Sequence, residues 1–124
     1  MTDAKLDPKT IADRYIALWN EPDATVRASL LAQDWTDASS YADPLMAGRG
    51  HTEIDALIAG VQQRFPHFAF RLIGKPDGHG DHVRFSWSLG PGDYAEAPIE
   101  GTDIAHLDHG RIATVTGFLD KVPM

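Results

Sequence analysis

Residues 99–122, IEGTDIAHLDHGRIATVTGFLDKV, constrain the fold more than any other part of this chain. Two extended runs, 99–107 and 112–122, flank the turn Asp108-His109-Gly110-Arg111. A glycine-bearing turn between two alternating runs is the mark of a β-hairpin. Successive strand side chains point to opposite faces, so Ile99, Gly101, Asp103, Ala105 and Leu107 share one face. Glu100, Thr102 and His106 share the other with Ile104. Asp103 therefore points where the apolar set points. A buried carboxylate is costly unless it is paired, hydrogen-bonded or neutral. That misplaced acid makes Asp103 the first candidate for chemistry.

The rest of the chain supplies the elements that would cover this hairpin. Asp7-Pro8 opens a first helix, with Asp as N-cap and Pro at the first helical position. Ile11, Tyr15, Leu18 and Trp19 recur at helical spacing, and Pro22 ends the run near Asn20. Residues 23–34 predict a second helix capped by Asp23 or Thr25, with Val26, Leu30 and Leu31 inward. Residues 35–41 predict a short extended piece. Asp43 is held extended by Pro44 and shares a face with Tyr41. Residues 46–51, MAGRGH, read as a loop. A third helix is predicted from Thr52, where Thr52-Glu53-Ile54-Asp55 resembles a capping box. Its stripe is Ile54, Leu57, Ile58, Val61 and Phe65, and Pro66 stops it. Phe68, Phe70 and Leu72 then alternate with Ala69, Arg71 and Ile73, and residues 76–80 predict a turn. Val83, Phe85, Trp87 and Leu89 alternate against His82, Arg84, Ser86 and Ser88, the clearest period-2 pattern in the sequence.

Helices segregated ahead of an antiparallel meander predict an α+β fold. With bulky aromatics on alternating positions, the sheet is expected to curve around a pocket. The length of 124 residues suits one domain over residues 1–124, and the apolar fraction of 43% argues against disorder. A net charge of −7 with no large basic patch disfavours nucleic-acid and anionic-membrane partners. The absence of cysteine excludes a disulfide scaffold, a Cys nucleophile and a Cys-ligated zinc site. Of the six histidines, His79-x-x-His82 lies at a glycine-rich turn and His106 and His109 flank the last turn. None forms a helical His-Glu-x-x-His pattern, so no metal is expected. His51 is expected to cap the third helix, with lining of the pocket mouth as the alternative. No apolar run is of membrane-spanning length and the start MTDAKLDPKT has no signal-peptide core, so a cytoplasmic enzyme or binding protein is the expectation.

Arg14-Tyr15-Ile16, Asp43-Pro44, Gly48-Arg49-Gly50, Asp103-Ile104 and Gly110-Arg111-Ile112 carry a resemblance. Together with the element order, they resemble the nuclear transport factor 2-like, or SnoaL-like, superfamily over nearly the whole chain. The resemblance implies a cone: a curved antiparallel sheet wrapped around about three N-terminal helices, with an internal apolar pocket. It also implies a homodimer, a small hydrophobic ligand and no cofactor. Within the superfamily the placement most resembles ketosteroid isomerase, whose apolar site keeps a carboxylic acid neutral. By that resemblance, Tyr15 and Asp103 form an oxyanion hole and Asp43 shuttles a proton. The isomerases also carry tyrosines supporting the catalytic one; the third helix here offers Leu57 and Ile58 instead.

The residue chemistry is compatible with those roles. Asp43 is the candidate base, because a carboxylate in a mostly apolar pocket has a pKa raised toward working pH. A protonated Asp103 can donate to a developing oxyanion, and two neighbouring carboxyls would titrate together. Trp19, Trp35, Tyr41, Phe68, Phe70, Trp87 and Phe118 are the candidate substrate-binding residues, since ligand pockets are typically aromatic-lined. The expected activity is isomerisation or aldol-type cyclisation through an enolate. A non-catalytic binding or dimerisation module is the first alternative. The second is a carboxylate-assisted hydrolase or dehydratase, with Arg71 or Arg84 facing inward.

Overall fold

Asp7 opens the first helix as its sequence predicts: its carboxylate accepts from the Thr10 amide at 2.8 Å. In the computed structural model, which describes residues 7–92 and 96–123, α1 runs Pro8–Asn20. It buries Ile11, Tyr15, Leu18 and Trp19, the predicted stripe. Asp23 caps α2, Ala24–Asp34, by accepting from the amides of Thr25 and Val26. Leu31 is buried and Leu30 packs against the core as expected, but one predicted inward residue of α2 is not inward. Val26 is 41% exposed, while Arg27 is buried. Arg27 donates to Asp55 at 2.6 Å and to the Glu21 and Pro22 carbonyls. Those partners on two segments satisfy its charge and tie the α1–α2 turn to α3.

The residues read as a loop at 46–51 instead form β2, Ala47–Arg49, and the start of α3, Gly50–Arg64. β2 closes an antiparallel hairpin with β1, Trp35–Ala42, and α3 begins without a side-chain cap. Glu53 accepts from the Arg49 amide at 2.9 Å, which is the return half of a capping box shifted from its predicted place. His51 caps nothing: its Nε2 lies 2.9 Å from the Thr36 carbonyl.

Four long strands follow: β3 Phe68–His79, β4 His82–Pro91, β5 Ile99–Asp108 and β6 Arg111–Lys121. β3 continues through the predicted 76–80 turn, with a register shift between Ile73 and Asp77 absorbing Pro76. The last hairpin turns on His109 and Gly110, both at positive φ (50° and 81°), as a two-residue primed turn requires.

The six strands lie in the order β2-β1-β6-β5-β4-β3. β1 pairs with β6 in parallel, so the sheet is mixed rather than wholly antiparallel. It curves around the helices without closing. Val83, Phe85, Trp87 and Leu89 face the helices and are all buried, as alternation predicts. No helix among the described residues is long and apolar enough to cross a membrane.

Candidate functional site

A cavity of about 660 Å³ lies between α1, α3 and the concave sheet face. That volume is in the range of small-molecule sites. Tyr15, Asp103, Tyr41 and Asp43 all line it, although they come from α1, β5, β1 and the segment after β1.

Two hydrogen-bonded pairs form its polar end. The Tyr15 hydroxyl donates to Asp103 Oδ2 at 2.5 Å. The Tyr41 hydroxyl donates to Asp43 Oδ2 at 2.6 Å. Asp43 Oδ1 accepts from the Leu45 and Met46 amides at 2.7 and 3.0 Å. The Asp-Pro turn thus fixes one carboxylate oxygen and Tyr41 the other. A carboxylate offers about four lone-pair sites, so Oδ2 keeps one for a further partner.

Gly117 of β6 sits where the pairs meet. A Cβ there would lie 2.8 Å from Asp103 Oδ1, 3.2 Å from Asp43 Cβ and 3.5 Å from the Tyr41 hydroxyl. The register that sets Gly117 opposite Asp103 therefore leaves the space in which the two carboxyls approach.

Asp103 is 1% exposed. Burial pushes its carboxyl up to about 6, against the Tyr15 hydroxyl and Trp87 indole, which pull it down. The charges of Asp43 and Asp120 add to the rise. Trp87 lies near enough to act on Asp103, yet its Nε1 does not reach hydrogen-bond geometry. Trp87 Nε1 and Asp103 Oδ1 are both buried without a partner. Burial first, then the Asp103 charge, push both tyrosine hydroxyls well above their usual value, so both stay protonated.

Of the predicted substrate-binding residues, Trp19, Tyr41, Phe70 and Trp87 line this cavity. Trp35, Phe68 and Phe118 do not. Trp35 is core, stacked beneath the Tyr15 ring at 5.9 Å. Phe68 stacks on Phe65 at 5.2 Å and borders a separate hollow of about 30 Å³. Phe118 is 50% exposed. It pairs with Thr102, not Asp103, and alternation then turns it to the outer face. Arg71 and Arg84 are also outside: Arg71 donates to the Gly92 carbonyl, and Arg84 meets Asp77 at 3.3 Å on the surface. No cluster of three metal-ligating side chains occurs among the described residues.

Sequence reasoning missed the α3 wall as a lining element. Ala56, Leu57, Gly60, Val61, Arg64 and Phe65 all border the cavity. Gly60 was the available signal, since a mid-helix glycine without a turn marks a place where backbone meets open space or a neighbour.

The chain belongs to the SnoaL-like family: residues 12–115 match the SnoaL-like domain. It is also similar to a protein from Agrobacterium tumefaciens described as a candidate isomerase of the SnoaL-like family. The two are 46% identical with a TM-score of 0.85, over 90% of this chain and 96% of the other. Two more distant structures share the fold. A candidate ketosteroid isomerase from Kribbella flavida is 17% identical, with a TM-score of 0.69 over 94% of this chain and 80% of its own. A candidate SnoaL-like polyketide cyclase from Jannaschia is 15% identical, with a TM-score of 0.68 over 97% and 92%. No curated protein matches the chain in sequence.

Proposed function

We propose that the protein binds a small hydrophobic carbonyl compound and moves a proton next to the carbonyl without a cofactor. The observation that carries this reading is the convergence of Tyr15, Asp103, Tyr41 and Asp43 on one end of an otherwise apolar cavity. Asp43 takes a proton from the carbon beside the carbonyl, and the C–H electron pair becomes the enolate. Asp103, protonated on Oδ1, donates to the enolate oxygen. Tyr15 supports it from Oδ2, so the tyrosine acts through the acid rather than on the ligand. Preorganised donors of this kind matter most in a dry site. Asp43 then returns the proton to a different carbon, which completes an isomerisation. In a cyclisation the enolate carbon instead attacks a second carbonyl of the same molecule; that carbonyl's π pair moves to its oxygen, which takes the proton back from Asp43.

One observation favours a second reading, a ligand-binding protein without turnover. Asp43 accepts three hydrogen bonds, from the Tyr41 hydroxyl and the Leu45 and Met46 amides, so most of its lone pairs are already engaged. The experiment that separates the readings follows formation of conjugated enone from a panel of β,γ-unsaturated ketones by ultraviolet absorbance. The enzyme reading expects turnover that falls about 10²-fold or more in Asp43→Asn. No turnover in either protein, with equal ligand quenching of Trp fluorescence in both, would support the binding reading instead.

A further inference from the structure

Charge is distributed unequally along the cavity. Its buried end holds Asp103 beside Asp43. Val122, Pro123 and Arg64 line the cavity too and are exposed, so they mark its opening to solvent. Among the described residues, Arg64 is the one cationic side chain in the lining. Every other ionisable lining residue is an acid or a phenol.

The route to Arg64 is open. Ala56, Gly60 and Arg64 are spaced four residues apart on α3 and form one row along the wall. The row rises about 12 Å from Ala56 to Arg64. A Cβ added at Gly60 would meet nothing within 4 Å, so the middle of this row is space rather than packing. The Arg64 side chain forms no hydrogen bond or ion pair with the described residues. The two other α-helical arginines, Arg14 and Arg27, pair with Asp34 and Asp55. Arg64 closes the last turn of α3, where a cation interacts favourably with the helix dipole. That placement explains a positive charge at the helix end, but not its position over the opening of an apolar cavity.

We infer that the ligand of this pocket carries an anionic group at the end of its apolar skeleton opposite the carbonyl, and that Arg64 pairs with that group at the cavity opening. The inference rests on the proposed reading of the cavity as a site for a hydrophobic carbonyl compound, and narrows that class to acidic ones. It also sets the direction of binding. An anion is repelled by the carboxyls at the buried end and drawn to the guanidinium at the outer end, so the carbonyl enters first. A guanidinium presents a planar fork of donors that suits carboxylate, sulfonate and phosphate oxygens.

A matched pair of fluorescent probes tests this. 1-Anilinonaphthalene-8-sulfonate and N-phenyl-1-naphthylamine share one skeleton and differ in the sulfonate. Titrations at low ionic strength would use the wild type, Arg64→Gln and Arg64→Lys. Arg64→Gln is expected to weaken the sulfonate about fivefold, as for an ion pair near solvent, and to leave the amine within a factor of about two. Arg64→Lys is expected to recover most of the loss, and added salt to shrink the difference. Equal effects of Arg64→Gln on both probes, or none on either, would overturn the assignment while leaving the apolar pocket standing. Failure of the neutral amine to bind the wild type would overturn the pocket reading itself, and the inference with it.

Discussion

Asp103 is the most deeply buried acid among the described residues, and its environment makes a measurable claim. Burial holds its carboxyl at about 6 in the folded chain, above the 3.8 of an ordinary aspartate. The folded state then binds this proton more tightly than the unfolded chain does. At pH below both values the group is protonated in both states and adds no penalty. As pH rises from about 4 to 6 the unfolded chain ionises first, and folding becomes less favourable by up to about 3 kcal/mol. Above that window the penalty is constant. Asp103→Asn cannot ionise and escapes it. Urea unfolding of both proteins from pH 4 to 8 should therefore show the variant gaining about 2–3 kcal/mol relative to wild type across that window. Taking the difference cancels acids common to both chains. A difference that does not change with pH would contradict the buried, proton-retaining carboxyl.

Among the elements, α3 shows most clearly how wall and core divide one helix. Ile54 and Ile58 are fully buried, whereas Leu57, Val61 and Phe65 are only partly buried and border the cavity. Gly60 lies beyond the cavity-facing stripe, in the exposed row it shares with Ala56 and Arg64. Gly60→Ala should stabilise the fold by about 0.5–1 kcal/mol, because glycine costs that much in a helix interior. Gly60→Leu should also fold, yet fill the row leading to Arg64 and abolish binding of N-phenyl-1-naphthylamine. Thermal unfolding and probe titration read the two effects separately. Unimpaired binding in Gly60→Leu would place the ligand elsewhere.

What was legible in the sequence follows from how local each signal is. The Asp7 cap, the α1 stripe, the β4 alternation and the face of Asp103 each depend on residues close in sequence, and all stand in the structure. The site residues converge because those faces do: Tyr15 came from a helix stripe and Asp103 from a strand face. Signals set by distant partners were not legible. The β1–β6 pairing is parallel, Tyr41 opposite Val115, between strands far apart in the chain, and nothing in either strand announces it. Arg27 is buried only because Asp55 and two carbonyls receive it. Phe118 looked like lining until its register with Thr102 turned it outward.

At the scale of the whole molecule, the sheet is what brings the chemistry together. β1 and β6 meet in parallel beside the β5–β6 hairpin, which carries the post-β1 Asp-Pro turn over to Asp103. Gly117 then keeps the crossing free of side chain. The helices add the phenol of Tyr15 from one side and the apolar wall of α3 from the other. The central claim is that this arrangement forms and holds an enolate. It is tested most directly by dissolving 2-tetralone in D₂O with the protein and following loss of its α-protons by NMR. Any apolar ketone that enters the cavity reports the step, whether or not it is the natural substrate. Wild type should exchange the protons faster than buffer, and Asp43→Asn should slow that exchange by about 10²–10⁴-fold. Exchange at the buffer rate with wild type, while 2-tetralone quenches Trp fluorescence and so occupies the cavity, would contradict the account.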